Sequence, residues 1–209
     1  MTDTTGTAGP RADMVRNRRL LLDAATTAFA EHGLDASMGD IAQRAGLAKG
    51  TVFRHFPTKE DLLSAIMLRL LDRLAGLAAQ LLESDDAAAA LQEFMADGVE
   101  TLAADRAFCE VIGRPSLQQS EVRDAIADLC VAVEALTARA REQGVIRGDV
   151  TGTDIVLLLG GIHQTAAPLL DTQPGAWRRY LELALDGLRT PRPSPLPEQP
   201  PGRPQVSAH

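Results

Sequence analysis

Residues 46–63 read GLAKGTVFRHFPTKEDLL. They set Lys49, Arg54, His55 and Lys59 around Phe53 and Phe56, in a chain whose formal net charge is -7. Pro57 ends one helix, because a proline pushes the residue before it out of the helical region. Thr58, with Asp61 three places on, starts the next as a capping box. The spacing predicts a short helix over 48–55 and a long one to about residue 82. Leu62, Ala65, Ile66, Leu70 and Leu74 form the apolar stripe of the long helix.

Upstream, Ser37 and Asp40 make a second capping-box start, ahead of Met38, Ile41, Ala42 and Ala45, and Gly46 stops that helix. A first helix is expected over 16–32 on Leu21, Ala25, Ala28 and Phe29, with Gly33 as its stop. Downstream, helices are expected over 85–103, 106–112, 116–143, 151–170 and 174–188, with Thr151 and Asp154 capping the one over 151–170. Alanine and leucine dominate the 45% of hydrophobic residues, aromatics are 3%, and no β-branched run alternates. The expected fold class is therefore all-α. Its parts are a disordered arm over 1–15, a helix-turn-helix domain over 16–62, a larger helical domain over 63–189, and a Pro-rich disordered tail over 190–209.

Charge divides along the chain. Residues 1–73 hold 10 Lys/Arg against 9 Asp/Glu, whereas residues 74–209 hold 11 against 19, so the two parts face different partners. No run of about 18 apolar residues exists, so no membrane span is expected. The first residues lack the apolar segment of a signal peptide, and the cytoplasm is the expected location. Cys109 and Cys130 show no CxxC spacing and no histidine cluster, which argues for buried thiols and against a metal site. No Gly-rich phosphate loop or nucleophile elbow is present, so neither catalysis nor a cofactor is expected.

Two short helices joined at Ala45-Gly46-Leu47 form a helix-turn-helix. Such a second helix must be slender at its start to enter a DNA groove about 12 Å wide. Ala48, Gly50 and Thr51 are small there. Lys49 can reach a base edge or a phosphate, Thr51 can donate to a phosphate oxygen, and the helix start itself favours an anion. Arg54, His55 and Lys59 follow where the flanking backbone would lie. Phe56, with Phe53, is expected to anchor this helix to the first and fourth.

Residues 18–63 resemble the DNA-binding domain of the TetR family of bacterial transcriptional regulators. The resemblance rests on Ala24, Ala25, Phe29, Glu31 and Gly33; on Ile41, Ala42, Ala45 and Gly46; and on Gly50, Thr51, Phe53, His55, Phe56, Lys59, Glu60 and Leu62. It implies a homodimer on a palindromic double-stranded operator. It further implies a repressor released when a small-molecule effector of unknown identity enters the larger domain. Carried over, Ser37, Lys49, Thr51, His55 and Lys59 are expected DNA contacts, and Gly50 permits close approach; Arg44 and Arg54 are expected contacts beside them. Phe53 stands where many members have tyrosine and lacks the phosphate-binding hydroxyl, so its role is van der Waals. Arg16, Arg18 and Arg19 are weaker additions. The competing reading is a DNA-binding regulator without an effector, whose second part only dimerises or binds a protein partner.

For that second part, Phe94, Met95, Phe108, Cys109, Cys130 and His163 are candidate lining residues of a ligand pocket, with a lipophilic or amphipathic ligand expected. His163 has core packing as its alternative. Gly160 and Gly161 each cost a helix about 1 kcal/mol relative to alanine. They point either to close approach of another helix at a dimer interface, with Trp177 and Tyr180 as anchors, or to a place beside the cavity.

Overall fold

The computed structural model describes residues 10–104, 120–189 and 191–200. Its helices are α1 (Pro10–His32), α2 (Met38–Arg44), α3 (Lys49–His55), α4 (Lys59–Leu81), α5 (Ala87–Ala104), α6 (Ser120–Glu142), α7 (Gly152–Ala166) and α8 (Ala176–Arg189). Single 3-10 turns follow α1 and α7 at Gly33–Asp35 and Ala167–Leu169. No strand occurs among the described residues, and the all-α expectation holds. The helix expected over 106–112, with Phe108 and Cys109, lies outside the described residues.

All three capping boxes form. Ser37 Oγ accepts from the Asp40 N–H at 3.1 Å, and the Ser37 N–H donates to the Asp40 carboxylate at 3.2 Å. Thr58 and Asp61 do the same for α4, at 3.1 and 3.0 Å. Thr151 and Asp154 start α7, at 3.4 and 2.8 Å. Each such cap contributes about 1 kcal/mol to its helix. At the other end of the chain's regular structure the expectation differs. α1 begins at Pro10, six residues ahead of the expected Arg16. Proline suits a first helical turn, and nothing between Ala12 and Arg16 breaks the helix once begun. Arg11 to Leu20 stay exposed apart from the half-buried Asn17.

Apolar side chains gather in two cores. The smaller holds Leu21, Ala25 and Phe29 of α1, Ile41 and Ala42 of α2, Val52 of α3, Phe56, and the first two turns of α4 through Ile66. The larger begins on the same helix at Met67 and takes in Leu71, Leu74 and Ala78, then the inward faces of α5, α6, α7 and α8. α4 therefore passes from one core to the other between Ile66 and Met67, about one turn beyond the boundary expected at residue 62. It packs on α1 and along α6, while α7 packs on α5, α6 and α8.

Two arginines one turn apart tie α4 to its flanks. Arg69 donates to the Asp23 carboxylate at 2.5 Å and to Thr26 Oγ1 at 2.9 Å, both on α1. Arg73 donates to both oxygens of Asp97 at 2.7 and 2.6 Å and to Thr101 Oγ1 at 2.6 Å, on α5. Between them lies an open cleft of about 500 Å³, walled also by Ile66, Leu70 and Glu100.

α7 comes close to α6 at Gly152, its first residue. A Cβ there would run into the backbone of Glu134 on α6. The Gly152 N–H donates to the Glu134 carboxylate, which also accepts from Arg141 at 2.8 Å. Gly152→Ala should therefore destabilise the protein by about 1–3 kcal/mol, an overpacking cost. That is a fall in Tm of several degrees at roughly 2–4 °C per kcal/mol. Gly76→Ala, whose Cβ would meet nothing within 4 Å on exposed α4, should hold or raise Tm. Thermal unfolding followed by circular dichroism checks the pair.

Candidate nucleic-acid interface

The turn between α2 and α3 is closed by the backbone. The Leu47 N–H donates to the Ala42 carbonyl at 3.0 Å and the Gly46 N–H to Gln43 at 3.1 Å. Gly46 sits at φ 66, a left-handed conformation that a side chain would strain. α2 buries Ile41 and Ala42, and these hold the angle at which α3 leaves the domain.

α3 has two unlike faces. Val52 is 0% exposed, and Phe56, four residues on, is 2% exposed, both in the smaller core. Lys49, Gly50, Phe53 and Arg54 lie on the outward face, all exposed, and Thr51 is half-buried beside them. Phe53 is 49% exposed, so it does not anchor α3 as expected. It lies one residue from Val52, about 100° around the helix, which turns it out of the core that Val52 enters.

The outward face is open at its centre. A Cβ at Gly50 would meet nothing within 4 Å, so the domain's own packing does not require glycine there. The Lys49 side chain leans back over Gly39 on α2, where a Cβ would come within 3.1 Å of its Cε and 3.2 Å of its Nζ. Gly39 leaves room for that lysine, a role the sequence reading missed.

Three of the other expected contacts, Ser37, Arg44 and Lys59, have internal partners. Ser37 is the cap of α2. Arg44 forks onto the Glu31 carboxylate of α1 at 3.0 Å through Nη1 and through Nη2 as well. Its hydrogen bond holds Glu31 below the usual carboxylate range. Lys59 donates to the Leu34 carbonyl and lies 5.5 Å from the Phe29 ring centre. Half-buried, Lys59 ties the start of α4 to the end of α1. His55 is half-buried, with Nε2 lacking a hydrogen-bond partner among the described residues. Burial, then the charges of Arg54 and Arg18, push its pKa down, so it is a neutral imidazole at pH 7. Arg18 lies 4.8 Å over the Phe56 ring, which brings α1 to the base of α3.

In the second part, Phe94, Met95 and Cys130 are buried at 0%, 0% and 2% exposure, and His163 at 0%. They belong to the interior of the helical body. Burial pushes the His163 pKa down. Trp177 is 4% exposed and packs into its own larger core with Leu181 and Leu185, so it is no surface anchor. Its spacing of four from Leu181 and eight from Leu185 marks one inward stripe. Gly160 and Gly161 have nothing within 4 Å of a built Cβ, so among the described residues no other helix approaches them closely. Gly161 instead lines an open groove of about 690 Å³ between α7 and α8, with Leu157, Leu158, Ile162, Thr165, Tyr180, Ala184 and Gly187. Leu157 and, on α8, Leu183 are more than half exposed.

Comparison with known proteins places these features. Residues 21–66 match the family model of bacterial regulatory proteins of the tetR family. Residues 86–190 match that of the SbtR-like transcriptional regulator C-terminal domain. The HTH-type transcriptional repressor KstR2 of Rhodococcus jostii is 29% identical over 208 residues, covering 90% of this chain and 96% of that protein. The crystal structure of a TetR transcription regulatory protein from Mycobacterium vanbaalenii is 33% identical, with a TM-score of 0.64 over 86% of this chain and 99% of that one. FadR of Bacillus subtilis, solved in complex with stearoyl-CoA, shares the fold at 20% identity, with a TM-score of 0.63 over 81% of this chain and 98% of that one.

Two outcomes follow from the geometry of the side chains. Lys59→Met should lower stability by about 1 kcal/mol, the worth of one hydrogen bond, while Lys49→Met leaves the thermal midpoint unchanged. His55 and His163 both titrate below the ordinary 6.5. The unfolded chain then binds more protons than the folded one as pH falls below about 6.5, so stability is full above that pH and declines beneath it. His163→Gln should flatten this decline, read as the urea midpoint against pH between about 7 and 5.

Proposed function

The chain belongs to the TetR family of bacterial transcriptional regulators, and from that premise we propose that it is a repressor that grips a palindromic operator as a homodimer and lets go when a small molecule enters its larger core. As a family member it is a DNA-binding transcriptional regulator. The observation that carries the reading is the division of α3: Val52 and Phe56 are locked inward, and Lys49, Gly50, Phe53 and Arg54 stand outward around an open glycine. That slender face suits a major groove. Lys49 and Arg54 then serve as the free cations of the interface, with Thr51 as a neutral donor. Gly50 lets backbone and duplex come together, and Phe53 offers van der Waals contact to sugar or a thymine methyl. Neutral His55 meets phosphate as an N–H donor.

Two such helices, related by a twofold axis, would address half-sites about one helical turn apart, roughly 34–36 Å. The open groove between α7 and α8 supports the dimer. Its floor is small residues, Gly161, Ala184 and Gly187, and its rim carries exposed Leu157. Such a surface is self-complementary across a twofold axis. The effector would enter among the apolar residues of the larger core, such as Phe94 and Met95, and that lining calls for a lipophilic or amphipathic molecule. That a protein of this fold was solved with stearoyl-CoA agrees with that class.

Lys49→Ala, Thr51→Val and Arg54→Ala should each weaken operator binding by about 1–3 kcal/mol at unchanged helicity. The lysine and arginine changes should each reduce the slope of log affinity against log salt by about 1. Footprinting the promoter beside the protein's own gene supplies the operator, and fluorescence anisotropy across a salt series gives the numbers. Wild-type affinity in the triple variant would overturn the interface.

A further inference from the structure

We propose that residues 191–200 form a strap that completes the self-association groove, and that Leu196 is buried there by a second copy of this chain. The inference rests on the dimer reading above and adds a segment to it.

The sequence reading expected a disordered tail from residue 190, on the ground that its prolines forbid a packed element. Residues 191–200 indeed adopt no helix or strand, yet they lie against the body at a defined point. Arg147 is the clasp. Its Nη2 donates to the Ser194 carbonyl at 2.6 Å. Its Nε and Nη2 also hold the Asp149 carboxylate at 2.6 and 2.9 Å, and its backbone N–H donates to the Leu188 carbonyl at 2.8 Å. The guanidinium side chain is only 11% exposed. One residue thus joins the loop before α7, the end of α8 and the strap.

Two residues beyond Ser194, Leu196 lines the groove beside Arg147, Val150 and Leu188. It is the only non-proline apolar side chain in 191–200, and it stands between Pro195 and Pro197. Prolines at 191, 193, 195, 197 and 200 restrict the backbone before any partner arrives, so ordering the strap costs little entropy. Nevertheless Leu196 remains 49% exposed, on the same groove as the 59% exposed Leu157. A leucine fixed in place and left half in water is what a symmetric partner would cover. A second copy is the occupant the groove favours, because the strap continues the face built by α7 and α8. Under a twofold axis each protomer contributes its own strap as a wall for the other's helices.

The test is the dissociation constant of the full-length chain by sedimentation velocity over a concentration series. Leu157→Glu probes the helical face, while Leu196→Glu, Arg147→Met and a chain ending at residue 190 probe the strap. Leu196 and the strap lie outside both cores, so these chains fold, and circular dichroism verifies it. The proposal expects Leu157→Glu to dissociate the dimer, and Leu196→Glu and truncation each to weaken it at least tenfold, with Arg147→Met in the same direction. A full-length chain that stays monomeric, or a dimer indifferent to Leu157→Glu, overturns the dimer reading itself. A dimer that needs Leu157 but is unmoved by Leu196→Glu and truncation overturns the strap alone. Tighter association on truncation also overturns it, since the strap would then cover the groove against a partner.

Discussion

Everything in this molecule depends on a single helix being claimed by two cores. α4 gives Leu62, Leu63, Ala65 and Ile66 to the smaller cluster, and Met67, Leu71, Leu74 and Ala78 to the larger. Each buried leucine or isoleucine is worth about 1.5–3 kcal/mol relative to exposure. Neither cluster can release α4 without losing several of these side chains to water. The three-helix head is too small to bury its apolar surface by itself, and the shared helix supplies the missing wall. Under the proposed function, the same arrangement would make α4 the path by which a change in the larger core reaches the head, because one continuous helix belongs to both groups of contacts.

The head then divides its polar residues by task. Ser37 and Asp40 start α2, Arg44 and Glu31 join α2 to α1, and Lys59 fastens the start of α4 beneath Phe29. With those groups occupied, the outward face of α3 keeps Lys49 and Arg54 exposed. An acidic chain can in this way present a cationic edge: the positive charge is gathered on a few positions rather than spread over the surface. A neutral His55 beside Arg54 fits the same logic, since a further charge there would repel its neighbours.

Much of this was legible in the residues. Three capping boxes, the stop at Gly46 and the proline after Phe56 are local signals, and local signals survive in three dimensions because a cap acts within four residues of itself. The hydrophobic spacing of α4 was equally plain, although where it changes cores was not, since Ile66 and Met67 look alike in sequence. Two of the errors share one cause, which is direction. Phe53 and Trp177 are both large aromatics, and size alone suggested a packing role for one and a surface role for the other; the structure reverses both. Counting positions from Val52 and from Leu181 would have oriented them. Lys59 and Leu34 lie 25 residues apart, and no periodicity links an amine to a distant carbonyl. The early start of α1 at Pro10 was hidden by treating small polar residues as an arm.

The cleft between Arg69 and Arg73 has a mechanical consequence. Both guanidinium groups reach exposed or half-exposed carboxylates, Asp23 on one side and Asp97 on the other. Exposed pairs of this kind are worth about 1 kcal/mol or less each, since water competes for the same charges. The side chains across the cleft accordingly add little to a joint that α4 itself carries. Along that helix, movement would drag leucines through two packed interiors. Across the cleft only solvated charges and two threonine hydroxyls would have to find new company. The head is held to the body by a buried rod, and the two arginines trim its sides.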